Sequence, residues 1–224
     1  GTLHAQLTGT AGDDTVDSTG ANSGNFNGSP FTGITSIDTA GGQDQVNTNA
    51  PATLTTSVAQ FITNGVTISN VETLVSTDGN LEGSSDGDTF NISGADSGTS
   101  RFVDFSGIDT VNGRAGDDTF DFANAGSLSG TVDGGADFDT LDYADKTGSV
   151  AISLQDNSAT SINGGAANGF ANMDGFVGNG TVNTTVTGTA GSDSFIIGAS
   201  NSSGSNIGVS ALTVHGYAKR DERQ

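Results

Sequence analysis

The 224-residue chain carries 26 acids against six bases, a formal charge of −20, with 35 glycines, no cysteine and an apolar fraction of 32%. Nucleic acid is disfavoured as a partner because its phosphates would be repelled, and without thiols there are no disulfides, thiolate metal sites or cysteine catalysis. No apolar stretch approaches the ~20 residues of a membrane span, and the apolar content suffices only for a thin core.

Gly, Asn, Asp, Ser and Thr are poor in helix interiors, whereas the short Val, Ile, Phe and Thr runs between them favour strands. The expected fold class is therefore all-β. Gly1 opens no charged-then-apolar leader, so the piece reads as mature or trimmed.

In chain order, the first turn signal is Gly9-Thr10-Ala11-Gly12-Asp13-Asp14-Thr15-Val16, followed by the strand Phe31-Thr32-Gly33-Ile34-Thr35-Ser36-Ile37. A degenerate turn, Gly41-Gly42-Gln43-Asp44-Gln45-Val46, precedes a short strand at Val71-Glu72-Thr73-Leu74-Val75. The turn returns as Gly83-Ser84-Ser85-Asp86-Gly87-Asp88-Thr89-Phe90, then as Gly113-Arg114-Ala115-Gly116-Asp117-Asp118-Thr119-Phe120. Between them Phe105-Ser106-Gly107-Ile108-Asp109-Thr110-Val111 matches the strand at Phe31. Further copies are Gly134-Gly135-Ala136-Asp137-Phe138-Asp139-Thr140-Leu141 and Gly188-Thr189-Ala190-Gly191-Ser192-Asp193-Ser194-Phe195.

Asp14 to Asp88 and Asp44 to Asp118 are both separated by 74 residues, so a larger unit is repeated. The units expected are 1–82, 83–187 with an insertion of Gly134 to Leu154 type, and a truncated 188–224. The last ends in a basic tail, Lys219 to Arg223, that caps the array or marks a cut.

Alternations such as Phe90-Asn91-Ile92, Phe120-Asp121-Phe122 and Val150-Ala151-Ile152-Ser153-Leu154 each bury one face. They are too short to stand alone, but stacked coils would join their alternate side chains into one column. The expected architecture is a right-handed parallel β-solenoid, with about 20 residues per coil, roughly ten coils and a rod about 50 Å long. The alternative is two tandem immunoglobulin-like β-sandwiches, which the uneven turn spacing and the lack of tryptophan weaken.

Asp139-Thr140-Leu141-Asp142-Tyr143, then Val150 to Leu154, Gly169-Phe170-Ala171-Asn172-Met173 and the turn at Gly188 follow an order that resembles giant bacterial filamentous-haemagglutinin-like and haemolysin-type repeat proteins. The likeness covers most of 9–215. It implies export and a surface or matrix role. The polar outer coat could contact surface glycans, and unpaired edges on exposed end coils would make neighbouring copies the other partner.

Calcium is the cofactor to consider, because the repeats-in-toxin nonapeptide encloses Ca²⁺ between successive turns. Its candidate ligands are Asp13, Asp14, Asp86, Asp88, Asp117, Asp118, Asp137, Asp139 and Asp193. The match is partial, since no two copies follow at nine residues and Ca²⁺ wants six to eight oxygens. Read structurally, the same aspartates close Asx-turns and the glycines take positive φ at the bends.

Glycan-cleaving chemistry finds poor candidates in Asp13–Asp14 and Asp117–Asp118. Equivalent pairs recur from copy to copy, whereas catalysis needs one asymmetric site with separated pKa values. His4 and His215 lack the context of an activated nucleophile, and Gly164-Gly165 is no phosphate loop. The Thr-rich run Thr181 to Thr187 is a single strand and not the many-coil ladder that ice binding needs. The expected function is a non-enzymatic structural or adhesive module of a secreted bacterial surface protein or filament; the alternatives are a calcium-stabilised repeats-in-toxin-like module and a glycan-binding or glycan-cleaving β-helix protein.

Overall fold

The computed structural model describes residues 5–179, 184–189 and 213–215. His4, Asp193, the basic tail and residues 181–183 lie outside the described residues. The chain is a β-solenoid of two long facing sheets, and a 3-10 turn at Asn163–Gly165 is the one helical element among the described residues.

Sheet I begins with β1 (Ala5–Thr8), from which the chain turns a corner into β2 (Thr15–Gly20) of sheet II. There β3 (Ser23–Phe26) and β4 (Ser29–Thr32) fold back as an antiparallel meander. The next circuit, β5 (Ile34–Asp38) and β6 (Gln45–Thr48), stacks in parallel on β1 and β2. A second meander, β7 (Ala52–Leu54), β8 (Gln60–Thr63) and β9 (Val66–Ser69), lies in sheet I, and β10 (Thr73–Ser76) returns to sheet II. β11 (Asn80–Glu82) leads to a third meander in sheet II, made of β12 (Thr89–Gly94), β13 (Ser97–Ser100) and β14 (Val103–Ser106).

From β15 (Thr110–Asn112) onward the path is regular. β16 (Thr119–Phe122), β17 (Val132–Asp133) and β18 (Thr140–Asp142) alternate between the sheets. β19 (Val150–Ser153) and β20 (Ser158–Ala159) leave the stack, and β21 (Phe170–Ala171) and β22 (Gly175–Val177) rejoin it. β23 (Thr184–Thr187) and β24 (Thr213–His215) extend β19 into a small side sheet.

Nine strands build sheet I and eleven build sheet II, which at ~4.8 Å per strand spans roughly 40 and 50 Å. The chain passes from sheet I to sheet II seven times, giving six full circuits instead of the ten coils expected. Each meander lays three strands in one sheet during a single circuit, so fewer circuits fill the same height. Parallel pairing along one continuous stack also replaces the antiparallel sandwich alternative.

The 74-residue repeat is real at the level of strands. Those opening at Thr15, Ser23, Ser29 and Gln45 recur 74 positions later at Thr89, Ser97, Val103 and Thr119. Within the second unit, Gly134 to Asp142 forms an ordinary corner and strand, and the departure from the first unit is the excursion over 143–169.

Strand alternation aims every second side chain inward. In sheet II, Phe90, Phe120, Leu141 and Phe176 stand in register across β12, β16, β18 and β22. Facing them, Ala52, Leu81, Val111, Val132 and Phe170 form the matching row of sheet I. Phe90 and Phe120 are fully buried and their rings stack with centroids 5.1 Å apart.

Two-residue tips with positive φ at both positions close three hairpins: Asn27–Gly28, Asn64–Gly65 and Arg101–Phe102. Asn-Gly is the preferred pair for such a tip. Phe102, at φ +66, holds a bulky side chain where the first repeat has Gly28, a conformation that costs on the order of 1–3 kcal/mol.

Removing one ring from the spine leaves a void that fixed backbone ladders cannot close. Phe120→Ala is therefore expected to destabilise the protein by about 3–5 kcal/mol. Denaturant unfolding of the variant checks this, and a loss below 1 kcal/mol would contradict a shared spine.

Candidate functional site

The corner between the sheets is where the sequence repeat concentrates its chemistry. A glycine opens each copy and an aspartate follows five positions later, as in Gly9 and Asp14, Gly83 and Asp88, Gly113 and Asp118, and Gly134 and Asp139. These aspartates are all buried. The glycine is required by space: a Cβ at Gly113 would overlap Asp118 Oδ2 and the Gly134 carbonyl, and one at Gly134 would overlap Asp139 Oδ2 and the Asn172 carbonyl.

Each aspartate ties its coil to the one before it. The backbone N–H of Asp14 donates to Asp44 Oδ1 at 2.7 Å, and that of Asp44 to Glu72 Oε2 at 2.8 Å. A second run repeats the pattern: Asp88 N–H donates to Asp118 Oδ1 at 2.6 Å, Asp118 N–H to Asp139 Oδ1 at 2.9 Å, and Asp139 N–H to Asp174 Oδ2 at 3.1 Å. The acids thus form two vertical columns, each carboxylate accepting from the peptide beneath it.

The first acid of each column has no coil corner beneath it, and a hairpin tip supplies the missing donor. Asn27 Nδ2 donates to Asp14 Oδ1, and Arg101 Nε donates to Asp88 Oδ1. Arg101 is the 74-residue counterpart of Asn27, and its Nη2 also donates to Ser84 Oγ at 2.8 Å.

Between the columns the corner edge is closed differently. Here no strand crosses between sheets; the β7–β8 loop meets the β13–β14 tip, with Ala59 N–H donating to the Arg101 carbonyl at 2.9 Å. Arg101 Nη1 reaches the Thr56 carbonyl across the same seam at 3.4 Å.

The second carboxylate oxygens divide the corners into two kinds. Asp14 Oδ2 accepts from Thr10 N–H and Asp88 Oδ2 from Ser84 N–H, whereas the buried Oδ2 atoms of Asp44, Asp118 and Asp139 have no partner. Donation from Asn27 and then from the Thr10 N–H holds the Asp14 carboxyl below its usual range. Burial pushes Asp118 up to about 7, against the pull of the Asp88 N–H, with the charges of Asp88 and Asp139 adding to the rise. Asp139 is raised as well, chiefly by burial.

Of the other candidate ligands, Asp13, Asp117 and Asp137 are exposed at the corners and accept from the N–H groups of Gln43, Phe138 and Gly116 in adjacent coils. Asp86 is exposed. Among the described residues no group of three or more His, Cys, Asp or Glu side chains is placed to hold a metal ion. The candidate aspartates are gathered by the fold, but as a line of backbone clamps and not as a cage.

Glu72, Asp174, Asn27 and Arg101 escape the turn motif. Glu72 and Asp174 sit in corners without the opening glycine. The signal that could have found the other two is their separation, the same 74 residues as the corners they serve.

Outside the corners, Lys146 is buried with its Nζ donating to the Gly126 carbonyl at 2.6 Å and the Asn124 carbonyl at 3.2 Å, and burial lowers its pKa. It pins the excursion before β19 to the loop after β16. Comparison with protein-family models, with curated proteins and with solved structures finds no match.

Below its unfolded value of 3.8, Asp118 is protonated in both states and has no effect on stability. As pH rises to about 7 the folded protein retains a proton that the unfolded chain releases, so stability falls over that window. Asp118→Asn keeps the Oδ1 acceptor and imitates the protonated acid. The variant is expected to gain thermal midpoint relative to the parent as pH is raised from 4 to 7; parallel pH profiles would exclude a protonated Asp118.

Proposed function

We propose that the chain is a non-enzymatic structural module of a secreted bacterial surface protein, acting as a stiff spacer that presents its faces to the surroundings. The observation that carries this reading is the recurrent engagement of the corner acids by backbone amides. The polar groups best suited to acid–base work are engaged by backbone amides, and they recur in equivalent places where a catalytic pair would be singular. Continuous side-chain rows and two long sheets suit a body whose role is to hold distance.

Export and a surface location come from the resemblance in residue order. No helix among the described residues is long and apolar enough to cross a membrane.

The spacer reading is preferred to a filament subunit because of the edge strand β4. It is the outermost strand at one end of sheet II and contains exposed Pro30, which cannot donate to a new ladder. Adding another copy there is disfavoured.

Solution scattering tests the shape: the reading requires a rod-like profile, and a compact sphere or two separated beads would reject it. Release of reducing ends from neutral or acidic polysaccharides would reject the non-enzymatic part. Because the described corner carboxylates already accept from amides, chelation by EDTA is expected to leave the thermal midpoint unchanged within about 1 °C; a drop of several degrees would restore the calcium-stabilised alternative.

A further inference from the structure

We propose that the tip of the β13–β14 hairpin is a binding site for a neutral oligosaccharide, with Phe102 as its stacking platform. The starting observation is a difference between the two repeats. Arg101 replaces Asn27 for a visible reason, the support of Asp88, but Phe102 replaces Gly28 for none within the fold. Its side chain is 81% exposed, and its backbone sits at φ +66. A strained residue with no packing role marks a site whose purpose lies outside the fold.

Around it the surface is concave. Phe102 and the 60%-exposed Val58 border an open, shallow hollow of about 620 Å³. Its floor is the outward face of the third meander, where Asn91, Thr99 and Asp104 stand in register and Thr89 lies nearby. An aromatic plane beside amide, hydroxyl and carboxylate groups suits a sugar ring, which has one C–H face and a rim of hydroxyls that both donate and accept. The guanidinium of Arg101 is committed to Asp88, so among the described residues no free cation faces the hollow. With Asp104 in the floor and a formal charge of −20 on the chain, uronates and other anions are repelled and a neutral glycan is selected.

The site adds a ligand to the spacer reading and needs neither catalysis nor self-association. Its test uses the whole chain, with saturation-transfer NMR against neutral trisaccharides of glucose, galactose and mannose and trigalacturonate as the charged control. At least one neutral trisaccharide is expected to bind and the control not to. Phe102→Gly should weaken binding at least tenfold while raising the thermal midpoint by about 2–4 °C, since it restores the relaxed tip of the first repeat; Phe102→Tyr should retain binding within about threefold. The proposal is overturned if no neutral trisaccharide binds, if Phe102→Gly binds equally well, or if that variant melts lower, which would make Phe102 a structural residue. Preference for trigalacturonate or for an apolar peptide would likewise overturn the ligand class. Reducing-end release during the same incubations would instead refute the non-enzymatic reading while leaving the site standing.

Discussion

A single hydrogen bond, from the peptide N–H of a corner residue to the carboxylate of the corner in the next coil, sets the geometry on which the solenoid depends. At these bends the backbone leaves its ladder, and its amides would be buried without acceptors. An acid at each corner cures this for the coil beneath it. The cost is a line of buried carboxylates, eased where amide donors favour the charged form, as at Asp14, and where burial raises the carboxyl toward protonation, as at Asp118 and Asp139. Glycine is bound into the same constraint, because the space its Cβ would take belongs to the aspartate oxygen and the neighbouring carbonyl.

With the corners fixed, the spine follows. Alternating strands place their apolar side chains between the sheets, and the in-register rows across β12, β16, β18 and β22 let Phe stack on Phe. The three meanders fill each sheet with strands that the corner repeat does not announce. They bring the hairpin tips to the corner edge, where Asn27 and Arg101 replace the absent peptide donors. The caps and columns are therefore one system, repeated once at the 74-residue spacing.

Much of this was legible in the residues. The Gly-to-Asp turns, the strand alternation and the 74-residue spacing led to a solenoid, but the Asx-turn reading of the corner aspartates is corrected: their carboxylates accept from amides in adjacent coils or four residues back, not from the amide two residues on. The meanders were not anticipated, although Asn27-Gly28 and Asn64-Gly65 are hairpin signals, because such pairs also close the corners of a simple coil. Glu72 was hidden by a different reason: its longer side chain reaches the position that an aspartate fills elsewhere, without the glycine that opens the corners of Asp14, Asp88, Asp118 and Asp139. Arg101 and Phe102 could not be understood from spacing alone, since their meaning comes from a corner and a loop distant in sequence that the fold brings beside them.

The seam between the β7–β8 loop and the β13–β14 tip also governs how such a molecule can change. At an aspartate corner, one inserted residue would carry a carboxylate away from the amide above or below it and disturb both neighbours. At the seam, the two turns are joined by hydrogen bonds and no strand runs between them, so the β7–β8 loop can grow outward without altering the covalent route between the sheets. It is the natural grafting point of this scaffold, the place where new loops could be trialled while the rod behind them stays the same.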